Sequence, residues 1–80
     1  MKYKDNELIE ELVLDAVDTM RDAPTVEDMV SRIRCGGTPI SSKLVLAAVR
    51  RLSTDGLLVR ALGYPGGVAH YARPVVGGGL

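Results

Sequence analysis

The chain has 80 residues, of which 46% are hydrophobic and 25% charged, and its ten basic side chains balance ten acidic ones. This composition excludes a disordered chain, and the length fits one small globular domain. The longest apolar run, residues 44–49, is too short to cross a bilayer, and no apolar segment of the signal-peptide kind follows the first residues. We therefore expect a cytoplasmic protein without a membrane partner.

The net charge of zero conceals a strong division of charge along the chain. Residues 1–30 carry three basic and nine acidic side chains, a net charge of −6, whereas residues 31–80 carry seven basic side chains and one acidic, a net charge of +6. A protein that binds a polyanion with one face needs only that face to be basic. The division favours a nucleic-acid partner for the second half, although an acidic helix followed by a basic segment would give the same counts.

The first predicted element is a helix from about Glu7 to Arg21, with Asp5 or Asn6 as its N-cap. Its apolar residues recur at helical spacing and would form one inward stripe: Leu8, Ile9, Leu12, Val13, Ala16, Val17 and Met20. Its acidic residues would form a solvated opposite face: Glu10, Glu11, Asp15, Asp18 and Asp22.

A second helix is predicted after Pro24. Thr25 would cap it, and Asp28 three residues later completes a capping-box pattern. Its inward face would consist of Val26, Met29, Val30 and Ile33. Arg32 and Arg34 fall in its last turn, where the helix dipole favours a cation and where contact with DNA is an equal alternative.

A turn over residues 35–39, with two glycines and a proline, separates this helix from a third. The third helix is predicted from about Ser42 to Thr54, with Ser41 as its N-cap and Gly56 as a left-handed cap at its end. Its core-facing residues would be Val45, Ala48, Val49 and Leu52.

Two short apolar runs follow, residues 57–62 and residues 68–73, joined by the loop 63–67. The glycines and the proline of this loop predict a β-hairpin. The chain shows no internal repeat and no linker, so we expect one domain over residues 1–74. The tail, residues 75–80, is too glycine-rich to hold structure unaided.

The chain has one cysteine, Cys35, and one histidine, His70. They can form neither an internal disulfide nor a four-ligand zinc site. Cys35 is expected to be a small thiol, buried or half-buried beside the turn. No catalytic constellation can be built around His70, and the paired glycines match no phosphate-binding loop. We therefore expect no catalytic residues, no cofactor, no metal and no enzyme activity.

Three helices followed by a β-hairpin is the element order of a winged helix-turn-helix domain. The segment 41–60, SSKLVLAAVRRLSTDGLLVR, resembles the recognition-helix segment of that superfamily, in which a Ser-capped helix ends in a Leu-x-x-x-Gly-Leu turn and enters the wing. Gly66-Gly67 and Tyr71 lie where such proteins often place the wing tip and the residue that packs the wing on the core. The resemblance covers residues 8–74 and implies an α+β winged-helix fold.

In the DNA-binding members of this superfamily the third helix enters the major groove, and the wing contacts the backbone or the minor groove. The resemblance implies that a serine at the helix start, Ser41 or Ser42, holds a phosphate, and that Lys43 or Arg50 pairs with guanine. Other implied groove contacts are Leu46 and Ala47, which would meet a thymine methyl or a protein. Implied contacts beside the helix or on the wing are Arg51, Arg60, His70 and Arg73.

Two functions are compatible with these features. The first is a small DNA-binding transcriptional regulator or accessory protein of the phage or mobile-element kind, which would bind two half-sites of double-stranded DNA as a homodimer. The second is a winged-helix protein-interaction module, for example a phage-type inhibitor that binds a host protein complex. It would use the acidic first helix or an apolar patch formed by Leu44 and Leu46.

Overall fold

A computed structural model describes residues 2–74, and for residues 2–5 it describes the backbone alone. The elements in chain order are α1 (Lys2–Thr19), α2 (Val26–Cys35), α3 (Ser42–Thr54), β1 (Val59–Ala61) and β2 (His70–Ala72). This order confirms the predicted α+β winged helix-turn-helix arrangement. The predicted tail, residues 75–80, lies outside the described residues. None of the helices within residues 2–74 combines the length and the apolar character needed to span a bilayer.

The bounds of α1 differ from the prediction at both ends. The helix begins at Lys2, so Asp5 and Asn6 lie inside it and neither is its N-cap. No glycine or proline interrupts residues 2–6, and helical bonding therefore continues through them. The helix ends at Thr19, before the predicted end at Arg21. Pro24 disfavours the helical conformation at Ala23, which prevents any extension of the helix beyond this connection.

Local signals fix the starts of α2 and α3 where the sequence predicted them. The Thr25 hydroxyl accepts the Asp28 N–H at 3.1 Å, and the Asp28 carboxylate accepts the Thr25 N–H at 3.0 Å. This pair is the predicted capping box. At α3, the Ser41 hydroxyl accepts the Leu44 N–H at 3.3 Å, as expected of an N-cap.

The end of α3 has a Schellman motif. The Gly56 N–H donates to the Ser53 carbonyl at 3.1 Å, and the Leu57 N–H donates to the Leu52 carbonyl at 2.8 Å. Gly56 has φ +81°, a left-handed conformation that glycine adopts without steric cost. The prediction of a left-handed glycine cap is thereby confirmed.

The core lies between the three helices and the start of the hairpin. Its buried side chains are Ile9, Val13, Ala16, Val17, Met29, Val30, Ile33, Ile40, Val45, Ala48, Val49, Leu52 and Leu58, and Tyr71 packs against them. The inward residues predicted for α2 and α3 all belong to this set except Val26, which is partly buried and packs against it. Leu8 is an exception to the predicted α1 stripe, because it lies at the stripe's edge and is 52% exposed.

The strands are shorter than predicted, with three residues each. They pair antiparallel in the register Val59↔Ala72, Arg60↔Tyr71 and Ala61↔His70. The predicted first strand began at Leu57, but the N–H groups of residues 57 and 58 both donate to the Leu52 carbonyl. The chain uses these two residues to end α3, and strand pairing therefore begins only after them.

The connection between α1 and α2 lies along the outer edge of β2. The Tyr71 N–H donates to the Pro24 carbonyl at 2.9 Å, which adds a strand-like contact to the two-stranded hairpin. The order across this layer is therefore β1, β2 and then the α1–α2 connection. This contact fixes which edge of the hairpin lies beside the α1–α2 connection.

Candidate nucleic-acid interface

The buried residues of α3 determine which of its side chains point outward. Val45, Ala48, Val49 and Leu52 face the core. Because successive helical residues are rotated by about 100°, the opposite direction carries residues spaced four, three and four apart. We call this row the outward stripe; it consists of Lys43, Ala47, Arg50 and Thr54. Three of its members are exposed and Ala47 is partly buried.

The outward stripe presents two positive charges separated by a small side chain. Lys43 and Arg50 are seven residues apart and therefore lie about 10 Å apart along the helix axis. In the part of the chain that the structure describes, neither forms an ion pair with an acidic side chain. Ala47 between them leaves room for a close approach of the helix backbone to another surface. These features fit an elongated anionic groove.

Two of the predicted DNA contacts are instead joined to acids of α1. The Arg51 Nε lies 2.6 Å from a Glu10 carboxylate oxygen, and this pair is partly buried between α3 and α1. The Arg73 Nε lies 3.4 Å from an Asp18 carboxylate oxygen. The +6 charge of the second half is thus not displayed on one surface, because part of it is neutralised within the fold.

The serines at the start of α3 are also engaged. The Ser41 hydroxyl caps the helix, and the Ser42 hydroxyl donates to a Glu27 carboxylate oxygen at 3.4 Å. Glu27 places a negative charge beside the position where the resemblance implied a phosphate. A phosphate contact by Ser42 would have to displace this carboxylate, so Ser42 is a weaker candidate than Lys43.

Leu44 and Leu46 do not form one apolar patch, and that expectation was wrong. The two leucines are separated by two positions along the helix, which corresponds to a rotation of about 200° about the helix axis. They therefore lie on opposite flanks of α3. Leu44 is 47% exposed and lies on the flank of Arg51, which faces α1. Leu46 is partly buried and lines a groove with Val68 and Tyr71 of the hairpin.

Among the predicted wing residues, Arg60 is the one whose charged group is exposed and available to a ligand. It is exposed, and it forms no ion pair with a side chain of residues 6–74. Side chains alternate between the faces of a strand, so Arg60 shares a face with buried Leu58 and with its cross-strand partner Tyr71. Tyr71 lines a groove with α3 residues, so this face of the hairpin meets α3. The same groove is lined by Lys43, so the strand position of Arg60, opposite Tyr71, lies near the end of the outward stripe that carries Lys43.

His70, another predicted wing contact, binds the α1–α2 connection and the hairpin loop. Its Nδ1 lies 2.8 Å from the Ala23 carbonyl oxygen, and because a carbonyl only accepts, Nδ1–H is the donor. The imidazole stacks on Tyr64 with 4.1 Å between ring centroids. The sequence analysis assigned no role to Tyr64. The one feature of the sequence that could have indicated this contact is an aromatic residue in a glycine-rich loop six positions before the sole histidine.

Cys35 is exposed, which contradicts the expected buried or half-buried thiol. It follows the buried Ile33 by two helical positions and is therefore rotated away from the core. Among the residues that the structure describes, no group of three or more His, Cys, Asp or Glu side chains has an arrangement that could hold a metal ion.

The fold is an α+β arrangement of three helices followed by a two-stranded hairpin, and the outward stripe of α3 is basic. No known protein family, curated protein sequence or solved structure matches the chain at a significant level. The geometry and charge of the surface itself are therefore what indicates a function.

Proposed function

We propose that the chain is a small double-stranded DNA-binding protein, a transcriptional regulator or accessory factor. The observation that carries this proposal is the outward stripe of α3. It is basic at Lys43 and Arg50, small at Ala47, and free of ion pairs with the side chains of residues 6–74. Arg60 adds a third exposed charge from the hairpin, where it pairs across the strands with Tyr71, a residue that lines a groove with Lys43.

The major groove of B-DNA is about 12 Å wide and admits one α-helix. With α3 in this groove, the planar guanidinium of Arg50 can donate two hydrogen bonds to O6 and N7 of guanine, and Lys43 supplies a point charge. The Ala47 methyl group can contact a thymine methyl. Arg60 would then reach a backbone phosphate from the hairpin.

Three charged contacts give a small binding energy for a sequence-specific site. We therefore infer that the protein binds as a homodimer to two half-sites about 34 Å apart, one helical turn of DNA. A dimer would double the number of contacts without any change in the fold of the protomer.

The proposal is tested by fluorescence anisotropy with a labelled random-sequence duplex, first at low salt and then at rising salt. Because each neutralised phosphate contributes about −0.9 to the slope of log K against log salt, we expect a slope of about −2 to −3 per protomer. Absence of binding at low salt would contradict the proposal.

A charge reversal then locates the binding surface. Arg50→Glu should abolish binding, since it puts a carboxylate in the middle of the outward stripe. The matched control is Arg32→Glu, which changes the net charge equally but lies in a cleft lined by α1 and α2 residues. Equal loss of affinity in both variants would show that net charge, and not docking of α3, governs binding.

A second candidate function is a protein-interaction module. The hairpin exposes several apolar side chains, with Leu62 88%, Val68 60% and Val59 43% exposed. On α1, exposed acids recur three or four residues apart and form one row: Glu7, Glu11, Asp15 and Asp18. A partner with an apolar groove beside basic residues would complement both surfaces, and a protein that fails to bind duplex DNA at low salt would favour this candidate.

A further inference from the structure

The hairpin is too small to hold its own position. Each strand has three residues, and an isolated two-stranded hairpin is marginally stable in water. Its orientation relative to α3 must therefore be set by contacts outside the strand pair. Tyr71 supplies one, through packing on the core and through its N–H bond to Pro24.

A second anchor consists of Tyr64, His70 and the backbone of Ala23. The Ala23 N–H donates to the Tyr64 hydroxyl oxygen at 3.1 Å, and the Ala23 carbonyl accepts from His70 Nδ1–H at 2.8 Å. Both polar groups of one peptide residue are thus bound by two hairpin side chains. The two rings stack with an interplanar angle of 14°, which joins the loop to the first residue of β2.

The backbone of the loop makes this anchor possible. Gly63 has φ +92°, a conformation that lets the chain reverse direction just before Tyr64 and brings the Tyr64 ring back onto β2. Together with the bond from the Tyr71 N–H, three hydrogen bonds connect the hairpin to the backbone of Ala23 and Pro24. The loop is thereby held to the α1–α2 connection.

We propose that Tyr64 and His70 are positioning residues that clamp the hairpin to the α1–α2 connection and so hold Arg60 within reach of the duplex bound by α3. His70 pairs with Ala61 across the hairpin, and Ala61 directly follows Arg60. The clamp therefore acts one residue away from the charge that it positions. This inference rests on the proposed DNA-binding function.

The test uses the double variant Tyr64→Phe/His70→Phe, which keeps two stacked rings and removes both hydrogen bonds to Ala23. We expect its salt slope for duplex binding to be smaller by about 0.9, the loss expected of one phosphate contact and equal to that of Arg60→Ala. Adding Arg60→Ala to the double variant should cause no further loss. An unchanged slope, or a full additional effect of Arg60→Ala, would overturn the clamp.

A conservative variant separates positioning from general stability. The side-chain NH₂ of His70→Asn lies close to the place of Nδ1 and can still donate to the Ala23 carbonyl. We expect it to restore the wild-type salt slope although it removes the imidazole. A slope like that of the double variant would show that the hydrogen bond to Ala23 is not the positioning element.

Amide hydrogen exchange tests the clamp without DNA. In the double variant the Ala23 amide, which loses its bond to the Tyr64 hydroxyl, should exchange about tenfold faster or more. The Tyr71 amide should also exchange faster, because its bond to Pro24 opens more often when the hairpin is released, whereas the buried amides of α3 keep their protection. Equal protection in both proteins would overturn the clamp. If the wild-type protein binds no DNA, the proposed function is wrong, but this result does not contradict the clamp. Amide exchange then still decides whether the clamp exists.

Discussion

At the residue scale, neighbouring arginines on α3 have different roles. Arg50 belongs to the outward stripe, whereas Arg51, rotated by about 100° from it, is paired with Glu10 of α1. Both were predicted DNA contacts. The sequence cannot separate them, because the partner of Arg51 lies 41 residues away along the chain. Helical spacing predicts which side of a helix is outward, but it does not predict which charges a neighbouring helix will neutralise.

This difference gives a paired prediction. Arg50→Ala should weaken duplex binding by about 10- to 100-fold, the usual cost of losing a base-contacting arginine, with little change in thermal stability. Arg51→Ala should instead lower the free energy of unfolding by about 0.5–1 kcal/mol, because it breaks a partly exposed ion pair. Anisotropy and thermal denaturation of the two variants measure these effects. The reverse pattern would mean that Arg51, released from Glu10, is the contact with DNA.

At the scale of elements, the sequence predicted α2 and α3 well because their bounds depend on local chemistry. Thr25, Ser41 and Gly56 each act within five residues of their own positions. The sequence predicted the existence of the hairpin but not the length of its strands. Leu57 belongs to the first apolar run, but its N–H is used to end α3 and does not pair with the second strand. The clamp could not be predicted, because Tyr64 and Ala23 are 41 residues apart.

Gly56 gives a prediction for the end of α3. A Cβ at this position would meet nothing within 4 Å, so the cost of Gly56→Ala comes from its φ of +81° alone. We expect the free energy of unfolding to fall by about 1–2 kcal/mol, as measured by urea denaturation. Gly67→Ala is the matched control, since its surroundings are equally open and its φ lies outside the left-handed region. Equal losses in the two variants would contradict a conformational origin.

At the scale of the whole molecule, the division of charge along the sequence is only partly kept in space. Two ion pairs, Arg51–Glu10 and Arg73–Asp18, join the basic half to the acidic helix. The remaining acids of α1 still repel a polyanion that approaches the domain. The composition predicted a dipolar molecule, and the ion pairs reduce that dipole in a way that only the folded arrangement reveals.

Removal of part of this repulsion should strengthen DNA binding. We expect Glu7→Gln/Glu11→Gln to raise the affinity for duplex DNA a few-fold at low salt, since both side chains are exposed and charges interact over distances of about 30 Å at 0.01 M salt. The gain should vanish near 1 M salt, where the screening length is about 3 Å. Anisotropy titrations at the two salt concentrations measure this. A gain that persists at high salt would point to a direct contact of α1 with DNA.

The stacked ring of Tyr64 has a consequence for optical spectroscopy. The chain has no tryptophan and three tyrosines, of which Tyr64 and Tyr71 lie in the loop and strand of the hairpin. Two of the three side chains that give the protein its intrinsic ultraviolet emission therefore lie in the hairpin. Opening of the hairpin can be followed in unlabelled protein by this emission, while the helical backbone is followed separately by circular dichroism.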